Sequence, residues 1–374
     1  VKDWNDALRA GVNIREIGDS AKPWTPKGNG KDQDDLGFNL ICLADVDPVP
    51  IDWIWEGHLA RGKLTLIGGD PDLGKSLLCT DAAARLSRGA HWPRGARANI
   101  GGTIFICSED STADTIRPRV EAAGADLSML QVFKSTLTTK DGKRKTFSLQ
   151  EDLDVLGAAI TKAGNVSLVC VDAITSYMGT KIDSHQTSHV RSVLEPVAEF
   201  AEQHKVAILG VTHPPKAAQG NALRSFTGSF AFIAAPRVAF IVTTEPETKR
   251  RLLLCVKNNI GQKALGLGYY LGIKAVTNDI TAPYVLWDDA PVDVNADQAI
   301  AAASAALKEG DALAEAKAFL REILANGQRQ AKDVEDAAIN GHLISERTLR
   351  RACKELKIKK HKVGLEGGWL WELP

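Results

Sequence analysis

The sequence carries no net charge: 46 lysines and arginines stand against 46 aspartates and glutamates in 374 residues. That balance excludes a uniformly basic coat for nucleic acid, while leaving room for local patches. No apolar run approaches the roughly 18 residues that span a bilayer. The opening residues, Val1-Lys2-Asp3-Trp4-Asn5-Asp6, lack the apolar stretch of a signal peptide. The six cysteines (Cys42, Cys79, Cys107, Cys170, Cys255, Cys353) are far apart and form no CxxC pair. Neither a zinc site nor a redox pair is therefore expected, and they read as buried thiols of a soluble cytoplasmic chain in a reducing compartment. Internal repeats are also missing. What is present is ordinary, with 44% hydrophobic and 25% charged residues. The length suits two globular domains and linkers.

Four segments follow from the pattern along the chain. Residues 1–50 hold a short helical stretch, Trp4 to Ala10, and a breaker-rich linker from Lys22 to Lys31. Between 51 and 290, short β-branched runs alternate with amphipathic helical ones. The strands are Leu64–Ile67, Thr103–Cys107, Val166–Val171, Val206–Val211, Val238–Val242 and Leu252–Val256. Continuous apolar runs of this kind suit parallel strands buried on both faces. The helices are Ser76–Leu86, Ala113–Ala123, Leu153–Lys162 and Val190–His204, which completes βαβ repeats. Residues 291–311 are an Ala/Asp-rich linker with helical character. Residues 312–374 form a third pattern, three short helices and a two-stranded end.

Gly69-Asp70-Pro71-Asp72-Leu73-Gly74-Lys75-Ser76 fits GxxxxGK[ST], directly after a strand and before a helix. In that context backbone N–H groups and the helix N-terminus cradle phosphates. Lys75 then meets the β/γ charge and Ser76 binds Mg²⁺. These eight residues, with Leu77 just inside the helix, are the nucleotide-binding set. Asp72 stands where glycine is common, an anion beside phosphates. Asp172 ends the apolar run Ser167–Val171 and is placed to hold Mg²⁺. Glu109, at the C-terminal edge of a strand expected beside that of the phosphate loop, can activate water, with Asp110 as competitor. Thr212-His213-Pro214-Pro215-Lys216 follows another strand, so His213 can sense the γ-phosphate.

Together G-D-P-D-L-G-K-S, F-I-C-S-E-D, V-C-V-D, T-H-P-P-K, G-S-F-A-F-I-A-A-P-R and V-K-N-N-I-G, across residues 62–261, resemble the RecA-like core of RepA-like hexameric helicases. These serve replication of plasmids, phages and integrated elements. The resemblance implies an α/β P-loop NTPase with a central, mostly parallel sheet that uses ATP and Mg²⁺. It assigns Lys75 and Ser76 to nucleotide and metal, Glu109 to water activation, Asp172 to Mg²⁺ and His213 to sensing. An arginine after the G-S segment reaches a neighbour's ATP in this branch, and Arg237 matches it. DnaB-type relatives instead carry a Lys and an Arg two apart on a late strand. Lys257 matches the first, Asn259 departs at the second, and both Arg237 and Lys257 stay open as the trans residue. Channel loops would offer Lys181, Lys216 and Arg224 to single-stranded DNA.

Near the C-terminus, Ser345–Leu356 reads as a capped helix whose apolar side carries Leu349, Ala352, Cys353 and Leu356. Arg347, Arg350, Arg351 and Lys354 crowd its other surface, Lys357, Lys359, Lys360 and Lys362 precede a turn at Leu365-Glu366-Gly367-Gly368, and Trp369-Leu370-Trp371 closes the expected hairpin. The segment resembles winged-helix tails of mobile-element helicases, which bind duplex or forked DNA or dock a protein. Lys2–Leu8 is similar to the segment closing a Toprim-type primase domain, so a primase is an expected partner. The reading that results is a homohexameric ATP-dependent DNA helicase, cytoplasmic and without a membrane segment. Its rivals are a RecA-like ATPase acting as loader or recombination mediator, and an ATP-switched DNA-binding regulator.

Overall fold

The computed structural model describes residues 41–374 apart from 139–140, 180–181, 184–185, 213–230, 247 and 364–367. Residues 1–50 and 51–374 are two compact units. The described part of the first, 41–50, is exposed and holds a single turn, Leu43–Asp45.

The second unit opens with a small hairpin, β1 (Trp53–Trp55) and β2 (Leu59–Ala60), followed by β3 (Leu64–Gly69) and α1 (Lys75–Arg88). β4 (Gly102–Cys107), α2 (Arg117–Ala122) and β5 (Leu130–Phe133) come next, then a small ribbon of β6 (Thr136–Thr138) and β7 (Arg144–Thr146). α3 (Leu153–Ala163), β8 (Val166–Asp172), α4 (Thr187–His204), β9 (Ala207–Val211), α5 (Ala231–Ala234) and β10 (Val238–Thr244) continue the alternation. Three antiparallel strands finish the main sheet: β11 (Arg251–Asn258), β12 (Leu267–Ala275) and β13 (Thr281–Asp288).

The sheet has nine strands in the order β13-β12-β11-β10-β3-β9-β8-β4-β5. The six from β10 to β5 run parallel. Side chains alternate between two cores, as the period of two requires. Leu64, Leu66, Val169, Val171, Ala239 and Ile241 face α3 and α4. Ile67, Leu168, Cys170, Phe240 and Val242 face α1 and α2. Burial on both faces explains why these strands read as unbroken apolar runs.

Several expectations need correction. Cys42 is exposed and Cys107 and Cys255 are only partly buried, where buried thiols were expected. β4 does not adjoin β3, because β9 and β8 lie between them. The late strand β11 pairs antiparallel with β10, since only a short turn joins them and a parallel return needs a crossover. The helix expected from Ala113 opens with a wide turn at Thr112–Ile116 before α2. Pro118 has no N–H to continue a tight ladder there.

α6 (Ala296–Ile323) is a single 28-residue helix through the Ala/Asp-rich tract. Asn295 caps it in a reciprocal box with Gln298, at 2.9 and 3.1 Å. Its first turn buries Ala296, Ala299 and Ile300 in the sheet's core. Its last turns bury Leu313, Ala316, Phe319 and Leu320 in a separate C-terminal core. The same C-terminal module holds β14 (Arg329–Gln330), α7 (Ala331–Asp336), α8 (Glu346–Glu355), β15 (Lys359–Lys362) and β16 (Trp369–Glu372); α7, α8 and β16 give Val334, Leu349, Ala352, Cys353 and Trp371 to that core, while the side chains of β14 and β15 are exposed. Its sheet has three antiparallel strands, β14-β16-β15, where two were expected. Two residues are too few to leave an alternating signal. Among the described residues no helix is long and apolar enough to cross a membrane.

Candidate functional site

The phosphate loop leaves the C-terminal end of β3 and enters α1, and its backbone follows from its glycines. Gly69 has φ 137°, and a Cβ there would lie 2.4 Å from the Val242 carbonyl oxygen of β10. Gly74 has φ 83° and a side chain there would press on Leu271. Asp72 takes φ 63°, a left-handed conformation that an aspartate tolerates better than most residues. No side chain caps α1, so its first N–H groups face the concavity of the loop.

Lys75 is buried, and its ammonium donates to the Gly69 and Asp70 carbonyls at 2.7 and 2.6 Å. Burial lowers its pKa to about 8, against the opposing pull of Asp172, Asp70 and Asp72. The lysine thus holds the loop in the shape an incoming phosphate would find. Beside it opens a cleft of about 400 Å³, lined by Asp72, Lys75, Ser76, Glu109, Asp110 and Asp172 among others. Glu109 reaches this cleft although its strand is not the neighbour of β3.

The cleft fits a nucleoside triphosphate with its metal. The glycine cradle is sized for phosphate oxygens, and a side chain at Gly69 would collide with β10. The Ser76 hydroxyl and the Asp172 carboxylate face the same space. One or two protein oxygens plus phosphates is the habit of Mg²⁺.

Of the two carboxylates after β4, Asp110 accepts from Arg119 at 2.7 Å. Glu109 stands exposed and makes no ion pair among the described residues. Thr212, beside the end of β3, is fully buried, and its hydroxyl has no partner among the described residues. His213, Lys181, Lys216 and Arg224 lie outside the described residues.

Arg237 and Lys257 are not in this cleft. The Arg237 N–H donates to the Leu64 carbonyl at 3.1 Å, at the start of β3. Five residues of strand, about 16 Å at 3.3 Å per residue, separate that point from the phosphate loop. Arg237 is exposed. Lys257 lies opposite Ala239 at the same end and donates to the Ile233 and Ala234 carbonyls, both at 2.7 Å. Its pKa is lowered by burial, then by the charges of Arg237 and Arg191. Arg347, Arg350, Arg351 and Lys354 are on α8, in the C-terminal core's module.

Several supports of the site carried no sequence signal. The buried Tyr269 hydroxyl donates to the Leu73 carbonyl at 2.8 Å, and burial pushes its pKa well up. The Trp287 indole donates to Asp81 at 2.9 Å, which also receives Arg85 at 2.7 Å. Leu271 and Pro283 line the cleft itself. The β12–β13 connection reaches α2, where Thr277 donates its N–H to Glu121 at 2.8 Å. Arg119 had one weak hint, its position on the same helix that Glu109 precedes.

Fold and cleft together define a RecA-like P-loop ATPase domain, a class that uses a nucleotide with Mg²⁺. Residues 40–219 match the AAA domain family. The chain is also similar, at low identity, to the DNA repair protein RadA of Brucella abortus (strain 2308), 26% identical over 277 residues that cover 69% of this chain and 50% of that protein. It is 28% identical over 214 residues to the protein of that name from Bacillus subtilis (strain 168), with 55% and 38% covered. The corresponding protein of Streptococcus pneumoniae (strain ATCC BAA-255 / R6) is 26% identical over 162 residues, with 43% and 32% covered. The chain spans half or less of the length of these curated relatives.

Proposed function

We propose that this chain is an ATP-dependent DNA helicase of the RepA-like kind, working as a homo-oligomeric ring, a hexamer, in replication of a mobile element. The observation that carries the assembly is the position of Arg237 at the end of the strands opposite the phosphate loop. From there it cannot reach its own nucleotide. A head-to-tail neighbour would receive it, where a guanidinium stabilises charge on the transferring phosphoryl group. Lys257 is the weaker candidate for that role, since its ammonium already serves the carbonyls ending α5.

Within one subunit, Lys75 and the glycine cradle bind the phosphates, and Ser76 and Asp172 hold Mg²⁺, which shields phosphate charge when bound. Glu109 orients water and His213 senses the γ-phosphate. Lys181, Lys216 and Arg224 would meet single-stranded DNA in the ring, and the C-terminal module, read as a winged helix, would meet a fork. A primase is the partner suggested by the N-terminal segment. The domains of this reading are 1–50, the ATPase core at 51–290, a connection at 291–311 and the winged helix at 312–374.

Likeness to a DNA repair protein favours a second reading, a DNA-dependent ATPase that acts as loader or recombination mediator. Strand displacement on forked DNA with ATP and Mg²⁺, with Lys75→Ala as blank, separates them. Displacement that requires Lys75 supports the helicase. DNA-stimulated ATPase without displacement transfers the assignment to the second reading.

A further inference from the structure

The helix α8 carries the arginines expected to read DNA, yet its surroundings neutralise much of that charge. Arg350 pairs with Glu346 on the same helix, and Arg351 pairs with Glu309 of α6 at 2.6 Å and with Glu355 at 3.3 Å. Glu355 is shared with Lys317. Three carboxylates thus stand among the four basic side chains of this face.

The adjoining ribbon differs. Lys359, Lys360, His361 and Lys362 are all exposed. The single carboxylate of the two strands, Glu372, lies at the far end opposite Lys359, where Gln328 donates to it at 2.9 Å and His361 approaches to 3.6 Å. Directly paired residues share a face. Lys360 opposes the buried Trp371 and lies over its ring at 4.3 Å. One step outward on that face, Lys362 opposes Trp369, whose indole is 52% exposed. Among the described residues this large apolar ring, half in water beside a lysine, is not part of the C-terminal core.

From this juxtaposition of Trp369 and Lys362 on one face of a lysine-rich ribbon, we infer that β15–β16, rather than α8, is the nucleic-acid contact of the C-terminal module, and that its ligand is a strand with unstacked bases. An indole offers a stacking platform to any base, and an adjacent ammonium meets the phosphate. Inside a duplex every base is stacked on both faces, so a blunt duplex offers the indole its two terminal pairs alone. The inference rests on the DNA reading above and specifies which surface serves it.

The test uses the intact chain with labelled single-stranded, forked and blunt duplex oligonucleotides, read by fluorescence anisotropy, together with cross-linking of a 5-iodouracil strand and peptide mapping. Trp369→Ala should weaken single-stranded and forked binding about tenfold and leave blunt duplex unchanged. Lys362→Ala should flatten the dependence of log K on log salt by roughly 0.7 on single strands. The cross-linked peptides should include the one bearing Trp369. Wild-type affinity in both ribbon variants, no label on that peptide, and loss in Arg347→Ala/Lys354→Ala would return the contact to the helix and overturn the inference. Failure of the wild type to bind any of the three DNAs would instead remove the DNA reading, and the ribbon site with it.

Discussion

Replacing Asp72 by glycine should tighten nucleotide binding to the isolated protein about fivefold. Asp72 lines the cleft, and its charge is felt by Lys75. A carboxylate roughly 8 Å from a unit negative charge across water opposes it by about 0.5 kcal/mol, and by about 1 kcal/mol where the protein wall halves the screening. Once Lys75 and the metal have offset part of the triphosphate charge, about 1 kcal/mol remains, which is the fivefold. The backbone adds little to this difference. Relief of the left-handed φ of 63° is worth roughly 1 kcal/mol, and the unfolded-state freedom of glycine cancels most of it. Asp72→Asn therefore separates the two causes, because asparagine tolerates the same conformation without charge. Titration of a fluorescent ATP analogue at 0.05 M and 1 M salt is the assay. Both variants should gain affinity at low salt, and the gain should collapse at 1 M, where the screening length is about 3 Å. A gain in the glycine variant alone would assign the effect to backbone strain. Unchanged or weaker binding in both would refute the idea that this carboxylate opposes the phosphates.

Other outcomes follow from the same geometry. Free Lys75 loses its proton as pH rises through about 8, whereas phosphates favour the ammonium. Nucleotide binding should therefore take up protons above pH 8 and weaken by up to tenfold per pH unit, which calorimetry in buffers of different ionisation enthalpy reads directly. The nucleotide-free fold should move the other way, gaining stability between pH 8 and 10.5, because there the unfolded chain binds the extra proton. Arg237→Ala should retain nucleotide binding and lose at least a hundredfold in DNA-stimulated ATPase, whereas retained turnover would move the trans role to Lys257 or elsewhere. Tyr269→Phe leaves the Leu73 carbonyl unpaired and should cost about 1–2 kcal/mol in denaturant unfolding, with weaker nucleotide binding; wild-type stability would mean water replaces the hydroxyl. Gly310→Ala, in the middle of α6 where nothing lies within 4 Å of an added Cβ, should stabilise the chain by about 0.8 kcal/mol.

Five of the six parallel strands were legible because burial on both faces writes a continuous apolar run; β5, only partly buried at the sheet's edge, was not, and the sixth expected strand is the antiparallel β11. The phosphate loop was legible for a different reason: its glycines are required locally, whatever surrounds them. β12 and β13 were not. Leu267–Ala275 is interrupted by Gly268 and Gly272, and Thr281–Asp288 carries Pro283, which only an edge strand accommodates. Tyr269 had no visible signature because its partner is the Leu73 carbonyl, a backbone group that no residue type announces. The distance between β3 and β4 was equally hidden, since a crossover helix can skip strands without any trace in the sequence. On α8 the basic pattern was plain, but the carboxylate from α6 that meets Arg351 lies 42 positions earlier.

The seat of the phosphate loop also sets an order in time. Tyr269 holds Leu73 across 196 positions, Trp287 holds Asp81 across 206, and Thr277 reaches Glu121 across 156. A ribosome has made the entire loop long before it makes any of these three partners. Contacts of such span form late and slowly, so the nascent chain passes a long interval with a phosphate loop but no floor beneath it. Competence for nucleotide should appear abruptly, once β13 has emerged from the exit tunnel. The stretch 40–219, which carries the family likeness, ends before any of those braces begins.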